Sequence, residues 1–122
     1  MDRLRIERAA EDWVGAWNTR DLDRVMAHYS EDVRLCSPLV VKRLGRADGW
    51  ITGKAELRAY FETGMGKPDL RFELKDVHLG VASAAIVYGR ENNIDVVDCV
   101  EFDANGLINR VLACYTKGET RV

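Results

Sequence analysis

Apolar residues recur at spacings of three and four from Leu4 through Ile6, Ala9, Ala10, Trp13, Val14 and Trp17. That period gathers them on one side of a helix over residues 3–17. Asn18-Thr19-Arg20-Asp21 interrupts the pattern, and Thr19 or Asp21 can cap a second helix near residues 21–29. Leu22, Val25, Met26 and Tyr29 share one face of it. Residues 33–37 read as a short strand stopped at Pro38. Residues 39–52, with Leu39, Val40, Val41, Gly45, Gly49 and Trp50, read as a long connection of the kind that often covers a site. A third helix starts near Thr52, carries Leu57, Tyr60 and Phe61, and is closed by Gly64, Gly66 and Pro68.

From Asp69 the period changes to two. Leu70, Phe72 and Leu74 alternate with Arg71, Glu73 and Lys75, which predicts a half-exposed strand to about Leu79. Further strands follow over residues 84–91, 94–102 and 107–115, punctuated by Asn92-Asn93 and by Asn105-Gly106. Helices first and a hairpin-linked, four-strand antiparallel meander afterwards predict an α+β fold, with the helices on one face of a curved sheet.

Residues 1–122 suffice for one domain with a real core. Apolar residues make up 47% of the chain, charged residues 31%, and the net charge is −2. That balance gives no basic surface for nucleic acid. No apolar run approaches the roughly eighteen residues of a membrane span, and the charged N-terminus does not read as a secretory signal. A cytoplasmic location is expected. Cys36, Cys99 and Cys114 are widely spaced, and neither His28 nor His78 stands at metal-ligand spacing from them. They read as small buried thiols in a reducing compartment, with a catalytic cysteine or a metal site as the alternatives. No phosphate-binding glycine loop or metal cluster is visible, so neither cofactor nor metal is expected.

Asp98 lies in the middle of an apolar strand, Ile94 to Phe102. A carboxyl there either faces water or is buried, and burial without a partner favours its protonated form. Alternation puts Val96, Asp98, Val100 and Phe102 on one face and Val97, Cys99 and Glu101 on the other. A tight turn at Asn105-Gly106 is expected to set Val111 opposite Asp98, with Ala113 and Tyr115 on the same face. Tyr88 meets Asp98 if the Asn92-Asn93 hairpin has a three-residue loop and turns away if it has two. An inward Asp98 is a functional acid or a structural carboxyl tied to Tyr88 or an indole; an outward one is solvated.

Three segments make the chain resemble the ketosteroid isomerase and SnoaL-like branch of the nuclear transport factor 2-like superfamily. They are Arg20-Asp21-Leu22-Asp23 through Tyr29-Ser30-Glu31-Asp32-Val33 to Ser37-Pro38, then Ile51 to Leu57, then Asp95 to Ile108. The resemblance implies a cystatin-like cone, in which three helices and a curved antiparallel sheet enclose an apolar pocket. In such isomerases a protonated aspartate and a tyrosine stabilise an enolate. Asp98 falls on that aspartate. Trp13 stands where the tyrosine would be, and Ser37 where the general base would be, so the usual steroid isomerisation is not expected.

The implied function is an isomerase, lyase or hydrolase acting on a small hydrophobic carbonyl-type substrate, with Asp98 as its neutral acid. A non-catalytic ligand-binding or accessory protein on the same scaffold is the alternative. Expected pocket residues are Trp13, Trp17, Tyr29, Ser37, Trp50, Phe61, Tyr88, Val96, Val100, Val111, Ala113 and Tyr115. Several of these aromatics can equally be plain core. Asp48 and His78 are candidates for a replacement base, His28 reads as a packing or surface residue, and Arg90 shares Tyr88's face and could meet an anionic ligand. The opposite face, with Val97, Cys99, Leu112 and Cys114, is expected to pair in a homodimer.

Overall fold

The computed structural model describes residues 2–116. Four helices and six strands alternate unevenly along them. They are α1 (Arg3–Asn18), α2 (Leu22–Met26), β1 (Tyr29–Cys36), α3 (Pro38–Leu44), β2 (Trp50–Thr52), α4 (Lys54–Met65), β3 (Glu73–Gly80), β4 (Ser83–Gly89), β5 (Asp95–Phe102) and β6 (Ile108–Tyr115). The strands form one curved open sheet in the order β2-β1-β6-β5-β4-β3. The helices cover its inward face, with α1 against β3 and α4 against β1 and β2.

α1 forms where the spacing predicts it. Asp2 caps it by accepting from the Arg5 amide at 2.9 Å. Its inward stripe of Ile6, Ala10, Trp13, Val14 and Trp17 is buried, whereas Leu4 is exposed. Asp21 caps α2 by accepting from the Arg24 amide. α2 stops at Met26, and Tyr29 opens β1 instead of ending the helix. Its i, i+3, i+4 neighbours fit a helix, but the Ile108 amide donates to the His28 carbonyl and β1 runs parallel to β6 from there. That pairing joins residues far apart in sequence, and the sheet is therefore not antiparallel throughout.

Residues 39–52 are not an irregular connection. Ser37 Oγ accepts from the Leu39 amide at 3.2 Å, Pro38 occupies the first turn, and Gly45 ends α3 in the left-handed conformation. The chain then turns at Asp48-Gly49 into edge strand β2. Gly49 has φ +74°, and a Cβ on it would stand 3.1 Å from the Ser37 carbonyl oxygen, so this close return requires glycine.

Phe72 precedes β3 yet lies in the core. The Asn18 side chain substitutes for a neighbouring strand: its Nδ2 donates to the Phe72 carbonyl and its Oδ1 accepts from the Phe72 amide, at 2.9 and 2.8 Å. A bulge follows, since Leu74 pairs with Tyr88 and Asp76 with Val87. Two β3 residues therefore oppose one β4 residue and parity flips. Val77 turns inward, and His78 turns to solvent beside Asp76 instead of sharing the face of Leu70 and Phe72.

The hairpins settle which side chains face in. Arg90 donates from its amide to the Ile94 carbonyl across a three-residue loop with Asn93 at φ +63°. Tyr88 consequently pairs with Val96 and faces inward. At the next hairpin Ala113, not Val111, stands opposite Asp98, and Val111 pairs with Val100. The chain reverses through Asp103–Gly106, with Gly106 at φ +80°, and Phe102 meets Ile108. The expected register was two residues off, an even slip that leaves every facing unchanged.

The outward face carries Val97, Cys99, Leu112 and Cys114 as alternation predicts. Cys99 and Cys114 are exposed and Cys36 is half-buried, so the thiols are not core packing residues. Ser37→Ala should lower stability by about 1 kcal/mol through loss of the α3 cap, and Ser37→Asp should restore it. Urea unfolding midpoints of the two variants check this; equal midpoints for alanine and serine would remove the cap from the account.

Candidate active site

Asp98 is buried at 7% exposure, at the inward centre of β5 between Ile86 of β4 and Ala113 of β6. Two small cavities meet at its side chain and that of Trp13. The first, of about 60 Å³, is walled by Trp13, Trp17, Phe61, Phe72, Tyr88 and Ala113, with Ser37 and Leu39 from the start of α3. Arg43, Tyr60, Arg90 and Tyr115 also line it. The second, of about 50 Å³, is more apolar and lies under α1 between Ile6, Ala10, Ile86, Val100, Phe102 and Ile108, with His28 and Tyr29. Asp98 is the one carboxyl, and His28 the one imidazole, that line either cavity among the described residues.

Burial pushes the Asp98 carboxyl up to about 7, against the smaller opposing effects of the Tyr88 hydroxyl and the Arg90 charge. The Tyr88 hydroxyl lies 3.5 Å from Asp98 Oδ1. That is long for an O–H···O contact and gives little compensation for lost water. The carboxyl is thus poised between its two states near neutrality, which is where a proton-transfer group is most useful.

Trp13 does not stand in for a tyrosine alone. Its Nε1 donates to the Tyr29 hydroxyl at 2.9 Å. The indole thereby satisfies an acceptor position on the phenol and leaves that hydroxyl's own proton free to donate. Burial, reinforced by the nearby Asp98 charge, raises Tyr29 far above the ordinary phenol range and keeps it neutral. A phenol therefore lines the second cavity with Asp98, but from the start of β1 instead of from the first helix.

Trp13, Trp17, Tyr29, Ser37, Phe61, Tyr88, Val100, Ala113 and Tyr115 all line one or other cavity beside Asp98. Val96 and Val111 face inward but are fully buried core beneath the cavity floor. Trp50 is a correction. It pairs with Cys36 on the outward face, where the Arg34 and Arg110 guanidinium groups stack on its indole at 4.3 and 5.4 Å from the ring centre. Asp48 is exposed in the turn before β2 and accepts from the Trp50 amide. His78 is exposed on β3. Neither lines either cavity.

His28 is half-buried and lines the second cavity. Its Nε2 is 2.8 Å from Asp12 Oδ2, which also belongs to a carboxylate held by Arg24. A carboxylate at one ring nitrogen fixes the tautomer and leaves Nδ1 as the free nitrogen. The signal in the sequence was the approach of a polar residue to the apolar stripe of α2, which alone says nothing about a cavity. Leu39 and Arg43 enter the first cavity from α3, which forms where the sequence predicts a connection, and Tyr60 enters it from α4. Among the described residues no group of three or more His, Cys, Asp or Glu side chains could hold a metal ion, and no helix is long and apolar enough to cross a membrane.

Residues 10–111 match the model of the SnoaL-like domain. The chain belongs to that family. A SnoaL-like protein of unknown function from Burkholderia thailandensis has 28% identity and a TM-score of 0.91, the match covering 95% of this chain and 98% of that one. A protein of unknown function with a cystatin-like fold from Methylobium petroleophilum has 20% identity and a TM-score of 0.76, over 97% and 80% of the two chains. A protein from Kribbella flavida to which a ketosteroid isomerase identity is provisionally ascribed has 21% identity and a TM-score of 0.70, over 91% and 77%. The latter two show the fold alone. No curated protein matches the sequence.

Since folding raises the Asp98 pKa from 3.8 to about 7, its contribution to stability is fully present below about 3.8 and is lost as pH climbs from there through about 7. Asp98→Asn removes that dependence. Between pH 5 and pH 8 the variant should gain about 3 kcal/mol on the wild type, measured by urea unfolding. Parallel pH profiles would mean that Asp98 is not desolvated.

Proposed function

We propose that this protein catalyses proton transfer on a small hydrophobic carbonyl compound, as an isomerase or a lyase that passes through an enol or enolate. The observation that carries the reading is the buried Asp98 carboxyl, facing both cavities and poised near neutrality. In its protonated form it donates to the carbonyl oxygen as negative charge develops there, in a space where water does not compete. The Tyr29 hydroxyl, oriented by Trp13, is a second donor on the same side. Removal of a proton from the adjacent carbon needs a base, and the available groups are His28, held by Asp12, and the ionised fraction of Asp98 itself.

Ser37 takes no part as a base. Its oxygen accepts from the Leu39 amide, and no carboxylate or imidazole stands beside it to activate it. This occupancy favours the alternative, a protein that binds a ligand of the same kind without turning it over. Fold membership does not choose between the two, because one scaffold hosts many chemistries.

The deciding experiment follows deuterium uptake at the carbon next to the carbonyl of cyclohexanone in heavy water by NMR. The wild type should exchange at least ~100-fold faster than Asp98→Asn, in keeping with the usual worth of a positioned acid or base. His28→Gln should slow exchange if the imidazole is the base and leave it unchanged if ionised Asp98 is the base, with Tyr29 as the donor to the oxygen. Binding of the ketone with exchange no faster than in Asp98→Asn would establish the non-catalytic reading.

A further inference from the structure

Charge is distributed unevenly around the first cavity. Arg43 and Arg90 both line it, and among the described residues they are its only formally charged lining groups besides Asp98. Arg90 is 11% exposed, with its guanidinium 5.0 Å from the Phe72 ring centre. Its Nε and Nη2 donate to Glu91, which is itself buried at 5% side-chain exposure. Burial works to raise Glu91, but donation from Arg90, Lys67 and the Arg71 amide outweighs it and holds this carboxyl at about 2. Arg90 Nη1 makes no hydrogen bond among the described residues.

Arg43 faces it from α3. Its guanidinium lies 6.0 Å from the Tyr60 ring centre, against Gly64, where any larger residue would crowd it. It forms no salt bridge with a carboxylate among the described residues. Arg43, Arg90 and Glu91 together carry one surplus positive charge, and the phenols Tyr60 and Tyr115 stand beside it as neutral donors. A second, independent observation comes from deeper in the wall. Trp17 is 5% exposed, and its Nε1 is buried with no hydrogen-bond partner. A buried donor left unmet costs about 1–3 kcal/mol, a cost that a ligand acceptor relieves.

We infer that the first cavity takes a compact carboxylic acid, its carboxylate held between Arg43 and Arg90 with an oxygen accepting from Trp17 Nε1, and its apolar body against Phe61 and Phe72. Planar guanidinium groups suit a carboxylate, and the single surplus charge matches a monoanion. The inference rests on the reading that Asp98's cavity binds a small carbonyl compound, and it narrows that substrate to an oxo acid whose carbonyl points at Asp98.

The test compares 3-oxocyclohexanecarboxylate with its amide by titration calorimetry at about pH 6, where Asp98 is protonated and the ligand acid ionised, on the full chain. The acid should bind at least tenfold more tightly than the amide. Arg43→Gln, an exposed change on α3, should reduce the ratio below threefold, and Asp98→Asn should leave the preference for the acid in place. Equal affinity for acid and amide overturns the inference, as does a preference that survives in Arg43→Gln or inorganic phosphate displacing the acid at equal concentration. Absence of binding by either compound also overturns it. Cyclohexanone exchange is measured separately, so loss of the acid preference with exchange retained rejects the anion site and spares the proton-transfer function.

Discussion

Taking a carboxyl out of water without giving it a cation or a full set of donors forces it toward neutrality, and Asp98 is in that position. The sheet places it at the inward centre of β5, α1 closes over it with two indoles, and the Tyr88 hydroxyl that donates to it is 3.5 Å away. Arg90 has spent two of its donors on Glu91 and lowers the Asp98 pKa only partly. Arg90, paired with Glu91, and Asp98 line the same cavity.

The aromatic packing has the same dependence. Trp13 sits 5.5 Å from Phe72 and 5.1 Å from Tyr88, Trp17 lies 5.1 Å from Phe72, and Phe72 lies 4.9 Å from Tyr88, measured between ring centres. Rings at these separations exclude water while leaving flat gaps between them. Phe72 reaches this cluster only because Asn18 completes its backbone hydrogen bonds ahead of β3. The first cavity is bounded by these rings and is of a size for a compact ligand.

Much of this was legible in the chain. The periodicities located α1, α4 and the last three strands, and alternation put Asp98 on one face with Val96, Val100 and Phe102, the face that the structure turns inward. The Asn92-Asn93 hairpin left Tyr88 open, and its three-residue loop resolved it. What was not legible depended on pairings between distant residues. Tyr29 fits a helix by spacing and is a strand because β6 lies beside it. Leu39-Val40-Val41 reads as irregular through its branched side chains, although Ser37-Pro38 before it and Gly45 after it were capping signals for α3. Trp50 faces out because it pairs with Cys36, and His78 because of a bulge that no local pattern announces. Arg43 and Arg90 meet only once α3 is in place.

The protonation of Asp98 underlies both the proposed chemistry and the polarity of its cavities, and it is directly measurable. Selective ¹³C labelling of aspartate, with Asp98→Asn to assign the resonance, follows the Asp98 carboxyl by NMR from pH 3 to pH 9. The structure predicts a titration midpoint near 7. A midpoint at or below the ordinary 3.8 would show a solvated or ion-paired carboxylate and contradict the account.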